Sequence, residues 1–343
     1  MTDTGPAQNT HGEFDLVLVL SGGNALGAFE AGVYEALHQH GLRPDWVVGA
    51  SIGAINAALI AGSAPDTRID TLRGFWHPHV ASATDLAYPW LSSTMETGRR
   101  SAAAVWTGLA GRAGIFGPAL SALTSWGKDR PSIFETDQLA RTLARLIDFD
   151  LLNGGPCRFT ATAVDLANGD DVVFDSGQLR IDPAHVRASA ALPVAFPPVE
   201  IAGRWLVDGG LSANLPLDPV LSTPPTRPVL CIAVDLLPLC GPLPSTIGEA
   251  AGRMQDLIFA AQSRRSLERW QAAYALHDDA RVSLVRVAYT EQQEEVAGKA
   301  LDFSGPTIER RWAAGRLAGE RIVTKLKADA LCVGAKGLNV IAL

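Results

Sequence analysis

Two short apolar runs, each ending in small residues and each followed by a helical pattern, constrain this chain more than any other feature. Residues 14–20 (Phe-Asp-Leu-Val-Leu-Val-Leu) form a Val- and Leu-rich run that stops at Ser21-Gly22-Gly23. Over residues 25–40, Leu26, Phe29, Val33 and Leu37 recur at spacings of three and four, the period of one helix face, and Gly41 supplies a stop. The pattern then repeats: residues 45–50 read as a strand and 52–60 as a buried helix. Parallel neighbours need a crossover connection, so strand, helix, strand, helix predicts a parallel sheet covered by helices. Further strands are predicted at 158–164, 171–174, 205–207, 229–234 and 282–287, and helices at 133–147, 247–276 and 307–327.

Composition narrows the class. With 343 residues, 47% of them apolar and 19% charged, the chain can bury one large α/β core, and whole-chain disorder is excluded. Its 29 Lys and Arg against 36 Asp and Glu leave a formal charge of −7, which argues against nucleic acid as a partner. Cys157, Cys231, Cys240 and Cys332 are widely spaced and form no C-x-x-C pair, so neither a structural zinc site nor a disulfide framework is expected. No metal-ligand cluster is visible, and metal-independent chemistry without a cofactor is expected. The N-terminus has neither a basic region nor an apolar one, so residues 1–13 read as a flexible tail and the chain as cytoplasmic. Residues 46–65 carry no charge over the length of a membrane span, but their glycines, serines and Asn56 divide them into a strand and a buried helix.

The segment from about 85 to 130 stands apart. It holds Trp90, Trp106 and Trp126 and two charge-free stretches, 101–111 and 113–127, with arginines between and beside them. Two readings remain open: a pair of buried helices, or a lid whose apolar surface meets a membrane, where Trp and Arg-flanked apolar stretches suit the water–lipid boundary.

Gly49-Ala50-Ser51-Ile52-Gly53 is a G-x-S-x-G between a strand and a helix. That context lifts a serine hydroxyl out of the sheet on a strained elbow, and Gly49 and Gly53 leave room around it. A tight strand-to-helix turn with an ordinary serine is the plain alternative. Ser21 to Gly27 also joins a strand to a helix. Position 24 is Asn, so it is no dinucleotide fingerprint, and no Walker-type lysine follows. Successive N–H groups of Gly22, Gly23 and Asn24 can instead form an oxyanion hole, or the stretch can be a simple glycine-rich turn. A serine nucleophile needs a base. Of the histidines, only His277 follows both Ser51 and the main carboxylates, and it reads as a solvated surface residue. Attention passes to Asp208-Gly209-Gly210, where a strand ends in a carboxylate followed by two glycines. An ordinary Asp-Gly turn would look the same.

Together these pieces resemble the patatin-like phospholipase family, bacterial members included. The matching residues are Leu20 to Gly23 with Gly27 to Val33, then Gly49 to Gly53, then Asp208 to Gly210, in the family's order and spacing. Ala188 to Pro193, Phe196-Pro197-Pro198 and Asn214-Leu215-Pro216 match the runs around the aspartate, and Ser263-Arg264-Arg265 extends the similarity more loosely. The resemblance implies a three-layer α/β/α fold with a mostly parallel central sheet. It also implies a serine hydrolase that cleaves lipid acyl esters through an acyl-enzyme. Ser51 would be the nucleophile and Asp208 the base, a dyad that answers the missing histidine. Gly22, Gly23 and the following N–H would be the oxyanion hole. On this reading residues 14–240 form the catalytic domain with the 85–130 insert, and 241–343 a mainly helical part packed on it. The substrate partner is a lipid or other hydrophobic acyl ester, with peripheral membrane contact through 85–130. Two departures stand out: the family turn usually reads Gly-Gly-Gly-x-Arg-Gly, and here Asn24 replaces the third glycine and Leu26 the arginine. Asn tolerates left-handed backbone, so the turn is expected to survive. The lost cation leaves open a non-phospholipid ester or thioester as substrate, or a non-catalytic lipid-binding protein.

Overall fold

The computed structural model describes residues 12–77, 93–119, 132–276, 280–290 and 295–343. Strand β1 (Asp15–Leu20) is central and pairs in parallel with β2 (Trp46–Gly49) and β7 (Val229–Asp235). The parallel set continues through β3 (Arg158–Asp165) on one side and through β8 (Arg281–Ala288) and β9 (Gly337–Ala342) on the other. Three strands joined by antiparallel pairings complete the sheet at the β3 side: β4 (Asp171–Asp175) and β6 (Arg204–Asp208) each pair with β3, and β5 (Val199–Ile201) pairs with β6.

Strand alternation assigns the two faces. Leu16, Leu18 and Leu20 of β1 share one buried cluster with helices α1 (Ala28–Gln39) and α2 (Ile52–Ala61), while Val17 and Val19 join the opposite one. A sheet apolar on both faces must be covered on both, so the fold is the expected α/β/α sandwich with a mostly parallel sheet. In chain order the other helices are α3 (Arg68–Trp76), α4 (Ser93–Ala110), α5 (Asp137–Leu146), α6 (Phe149–Gly154), α7 (Pro183–Ser189), α8 (Gly210–Ala213), α9 (Asp218–Leu221), α10 (Ile247–Tyr274) and α11 (Gly305–Lys327). The C-terminal half of α10 lies on the second face through Leu267, Trp270 and Tyr274. On the first face α11 crosses α1 so closely that a Cβ on Gly32 would sit 2.0 Å from the Trp312 carbonyl oxygen, and one on Gly315 2.0 Å from that of Phe29.

Three local expectations change. The helix expected from residue 133 begins at Asp137, because the N–H groups of Ile133 and Phe134 donate instead to the carbonyls of Val194 and Ala195. The first turn of the helix expected from residue 25 is a 3-10 turn (Asn24–Gly27). The 85–130 segment is not a pair of buried helices within its described part. Helix α4 buries Arg100, Ala103, Ala104 and Thr107 but exposes Met95, Val105, Trp106 and Leu109, and residues 111–119 form turns. The rest of that segment, with Trp90 and Trp126, lies outside the described residues, as do His277 and residues 1–11. No helix among the described residues is long and apolar enough to cross a membrane.

Candidate active site

Strands β1 and β2 end side by side, with Leu20 opposite Gly49, so the turns that follow them open into the same crevice. Ser51 occupies the elbow after β2 with φ 56° and ψ −126°, a backbone state that L-residues adopt only under constraint. The constraint is visible. The Ser51 N–H donates to the Ser189 carbonyl at 3.0 Å. A Cβ on Gly49 would stand 2.3 Å from the backbone of Gly53, and one on Gly53 would stand 2.3 Å from the Leu20 carbonyl oxygen. Both glycines are therefore needed to bring β1, β2 and α2 this close.

Asp208 reaches the same crevice by a different route. Gly49 pairs with Ala161, so β3 runs on past the end of β2. Antiparallel β6 returns along that overhang, with Leu206 opposite Asp165 and Asp208 opposite Ala163, and so descends toward the elbow. A side chain on Gly209 would overlap the Thr162 carbonyl oxygen at 2.3 Å, which explains a glycine there. The Asp208 carboxylate accepts the Gly210 N–H at 2.7 Å, and the Ser51 side chain lies close enough to act on its pKa. It is 2% exposed. Burial pushes its pKa up to about 6, against the opposing pull of the Ser51 side chain and the Gly210 N–H.

The glycine turn after β1 closes the third side. Asn24 sits at φ 52°, the left-handed region that asparagine tolerates. Gly22 differs from the expectation for it. Its N–H donates to the Asn214 carbonyl at 3.0 Å, and its own carbonyl accepts the Asn214 Nδ2 at 3.1 Å. The Gly22 N–H is thus occupied, and the expected row of three donors shrinks to Gly23 and Asn24. These stand at the open end of the 3-10 turn, whose first N–H groups the turn itself leaves unused. A Cβ on Gly22 would lie 2.4 Å from Asn214 Oδ1 and 3.1 Å from Ser51 Cβ. Asn214 therefore clamps the turn beside the serine.

Ser51, Asp208, Gly23 and Asn24 all line one pocket of about 60 Å³, whose other walls are mostly apolar, among them Ile55, Leu139, Leu192 and Phe196, with Thr136, Asn214 and Gln255 as polar exceptions. Among the described residues no histidine lines it; His185, for instance, caps α7 together with Asp182. Behind the pocket lies a buried polar relay that sequence reasoning missed. Asn56 of α2 donates to the Gly27 carbonyl and to Glu30, each at 2.9 Å, and accepts the Trp76 indole N–H at 3.0 Å. Burial raises the Glu30 pKa well above the usual carboxylate range, against the hydrogen bond from Asn56. The relay ties the serine helix to the glycine turn. Asn56 and Glu30, polar residues inside apolar helical runs, are its trace in the sequence.

Comparison with known proteins agrees with this architecture. The family model described as patatin-like phospholipase matches residues 18–221, and a second, described as patatin phospholipase, matches 247–330. An uncharacterized NTE family protein of Mycobacterium tuberculosis is 27% identical over 222 residues, covering 64% of this chain and 49% of that protein. The uncharacterized protein YqhO of Bacillus subtilis is 28% identical over 232 residues, covering 64% of this chain and 70% of its own length. The chain thus spans about half the length of the mycobacterial relative. Among solved structures, the type III effector protein ExoU is similar at TM-score 0.41 and 14% identity, over 91% of this chain and 53% of that one. VipD from Legionella pneumophila is similar at TM-score 0.36 and 15% identity, over 90% and 70%. With the first model matching well over half of its length, the chain belongs to the patatin-like phospholipase family.

Proposed function

We propose that the chain is a serine hydrolase of lipid acyl esters that works through a Ser51–Asp208 dyad. One observation carries the reading: a strained elbow serine shares one pocket with a buried aspartate, close enough to act on its carboxyl, whose pKa is raised to about 6. In solution a carboxylate is a weak base, and raising its pKa brings it nearer the pH at which proton transfer is efficient. Ser51 Oγ attacks the acyl carbonyl carbon as Asp208 takes its proton. The N–H groups of Gly23 and Asn24 hold the oxyanion. Collapse expels the alcohol, which takes the proton back from Asp208 and leaves an acyl ester on Ser51. Water, deprotonated by Asp208, then attacks that ester; the proton returns to Ser51 and the fatty acid leaves. The apolar pocket walls suit an acyl chain. The test is labelling by a fluorophosphonate, with turnover of soluble and vesicle-borne esters. Wild type should be labelled and Ser51→Ala should not. A wild-type protein that binds vesicles but is neither labelled nor active would be a non-catalytic lipid binder instead.

The base acts only when deprotonated, so kcat should rise about tenfold per pH unit below pH 6 and level off above about pH 7. A profile flat from pH 4.5 to 8 would remove Asp208 from the role of base. Helix α4 supports lipid contact. Val105, Trp106 and Leu109 are exposed by 63, 56 and 55%, on a helix whose C-terminal end leads to Ile115 in the pocket wall. Apolar side chains on that face would enter a bilayer surface. Trp106→Glu with Leu109→Glu should cut hydrolysis of vesicle-borne lipid about fivefold or more and leave a short soluble ester within about twofold, since only insertion is lost. Equal losses on both substrates would assign α4 a purely structural role.

A further inference from the structure

The glycine turn carries no charged side chain of its own between Ser21 and Gly27. A cation reaches it from elsewhere in the chain. Arg311 of α11 is fully buried, and every N–H of its guanidinium is used. Nε donates to Glu295 Oε1 at 2.9 Å, and Nη2 to Glu295 Oε2 at 2.7 Å and to the Lys299 carbonyl at 2.9 Å. Nη1 donates to the Asp302 carbonyl at 3.0 Å and, at 3.1 Å, to the carbonyl of Ala25, inside the 3-10 turn. Glu295 anchors the fork: although burial alone would raise its pKa, Arg311 and Arg100 hold it down at about 2.

We infer that Arg311 is a positioning residue for the glycine turn: by fixing the Ala25 carbonyl it holds the Gly23 and Asn24 N–H groups aimed at the pocket. This rests on the dyad reading of the site. Its charge is matched by Glu295, so the role is geometric rather than a free positive field at the oxyanion. A saturated planar fork tolerates little displacement, which suits it to hold a peptide plane still. A lysine has a point charge and fewer donors, so it can keep the ion pair with Glu295 but cannot span five acceptors.

Arg100 provides the contrast. It is equally buried and bonds Glu295 and Asp302 in the same network, and neither of these bonds reaches the turn. Three full-length variants, Arg311→Met, Arg311→Lys and Arg100→Met, separate position from mere support. The probe is p-nitrophenyl butyrate, read as kcat and KM beside urea stability and backbone amide exchange of residues 22–27. Arg311→Met should lower kcat about tenfold or more with KM within about twofold, because misplaced donors cost the transition state rather than ground-state binding. Arg311→Lys should recover at most part of that loss and should speed amide exchange across 22–27. Arg100→Met should lose comparable stability with kcat within about threefold and exchange across 22–27 unchanged. Equal kcat losses in the Met variants, or unchanged 22–27 exchange in Arg311→Lys, would overturn the inference. If Arg311→Met does not fold, exchange in Arg311→Lys against Arg100→Met decides it. Should wild type show no turnover at all, the hydrolase reading fails, while the exchange measurement still judges the turn.

Discussion

Asp208→Asn should lower kcat on a soluble ester by about 10²- to 10⁴-fold, the usual contribution of a positioned general base. The amide can still accept the Gly210 N–H, so the loop geometry should hold. Ser51→Ala should abolish fluorophosphonate labelling and reduce turnover at least as far. Because the two side chains act as one unit, the double variant should fall within about threefold of Ser51→Ala alone. Additive losses would mean that Asp208 does not serve Ser51. Stability should move the other way. A carboxyl whose pKa is raised from 3.8 to about 6 on folding binds its proton more tightly in the folded state. Its contribution is therefore favourable at low pH and is lost as pH rises through that window. At pH 7.5 Asp208→Asn removes a desolvated charge and should melt at or above the wild-type temperature. A clear drop would show that the carboxylate stabilises the fold.

Gly315→Ala should unfold the protein at a markedly lower urea concentration. The new Cβ would lie 2.0 Å from the Phe29 carbonyl oxygen and 3.0 Å from the Val33 nitrogen, and both neighbours are backbone. No rotamer can relieve that overlap, so α1 and α11 must part. Overpacking of this kind costs about 3 kcal/mol, and it also loosens the layer against the sheet. Gly98→Ala on α4 is the control. Nothing lies within 4 Å of its new Cβ, so helix propensity alone should stabilise it by up to about 1 kcal/mol. A Gly315→Ala protein as stable as wild type would show that the helices are not locked at this crossing. Activity should fall with stability here, because α11 also carries Arg311.

The legible parts of this molecule are those whose signal is local. Strands β1 and β2 are apolar runs cut off by glycines, and α1 carries its helical period in consecutive residues. Ser51 announces itself because its neighbours at two residues either side must be glycine. Strand β5, three residues long, and β9 were not foreseen, since neither alternates over enough residues to stand out. Helix α4 misled for a different reason. Its polar and apolar residues are mixed on both faces, with Arg100 hidden and Trp106 in the open, and no charge count reveals which side faces water.

The sequence by itself determined the two strand–turn–helix units, the elbow serine and, through resemblance, the family. Those depend on residues adjacent in the chain, where spacing translates directly into geometry. Only the tertiary structure decided what surrounds the serine. Asp208 arrives on an antiparallel strand along an overhang of β3, a matter of register. Asn214 occupies the Gly22 N–H that the motif alone would have left to the oxyanion. The turn's cation comes from α11 because the α1–α11 glycine crossing brings that helix within reach of the Ala25 carbonyl. Hydrogen bonds between distant segments leave no period in a sequence; they exist once the sheet order and the helix crossings are set.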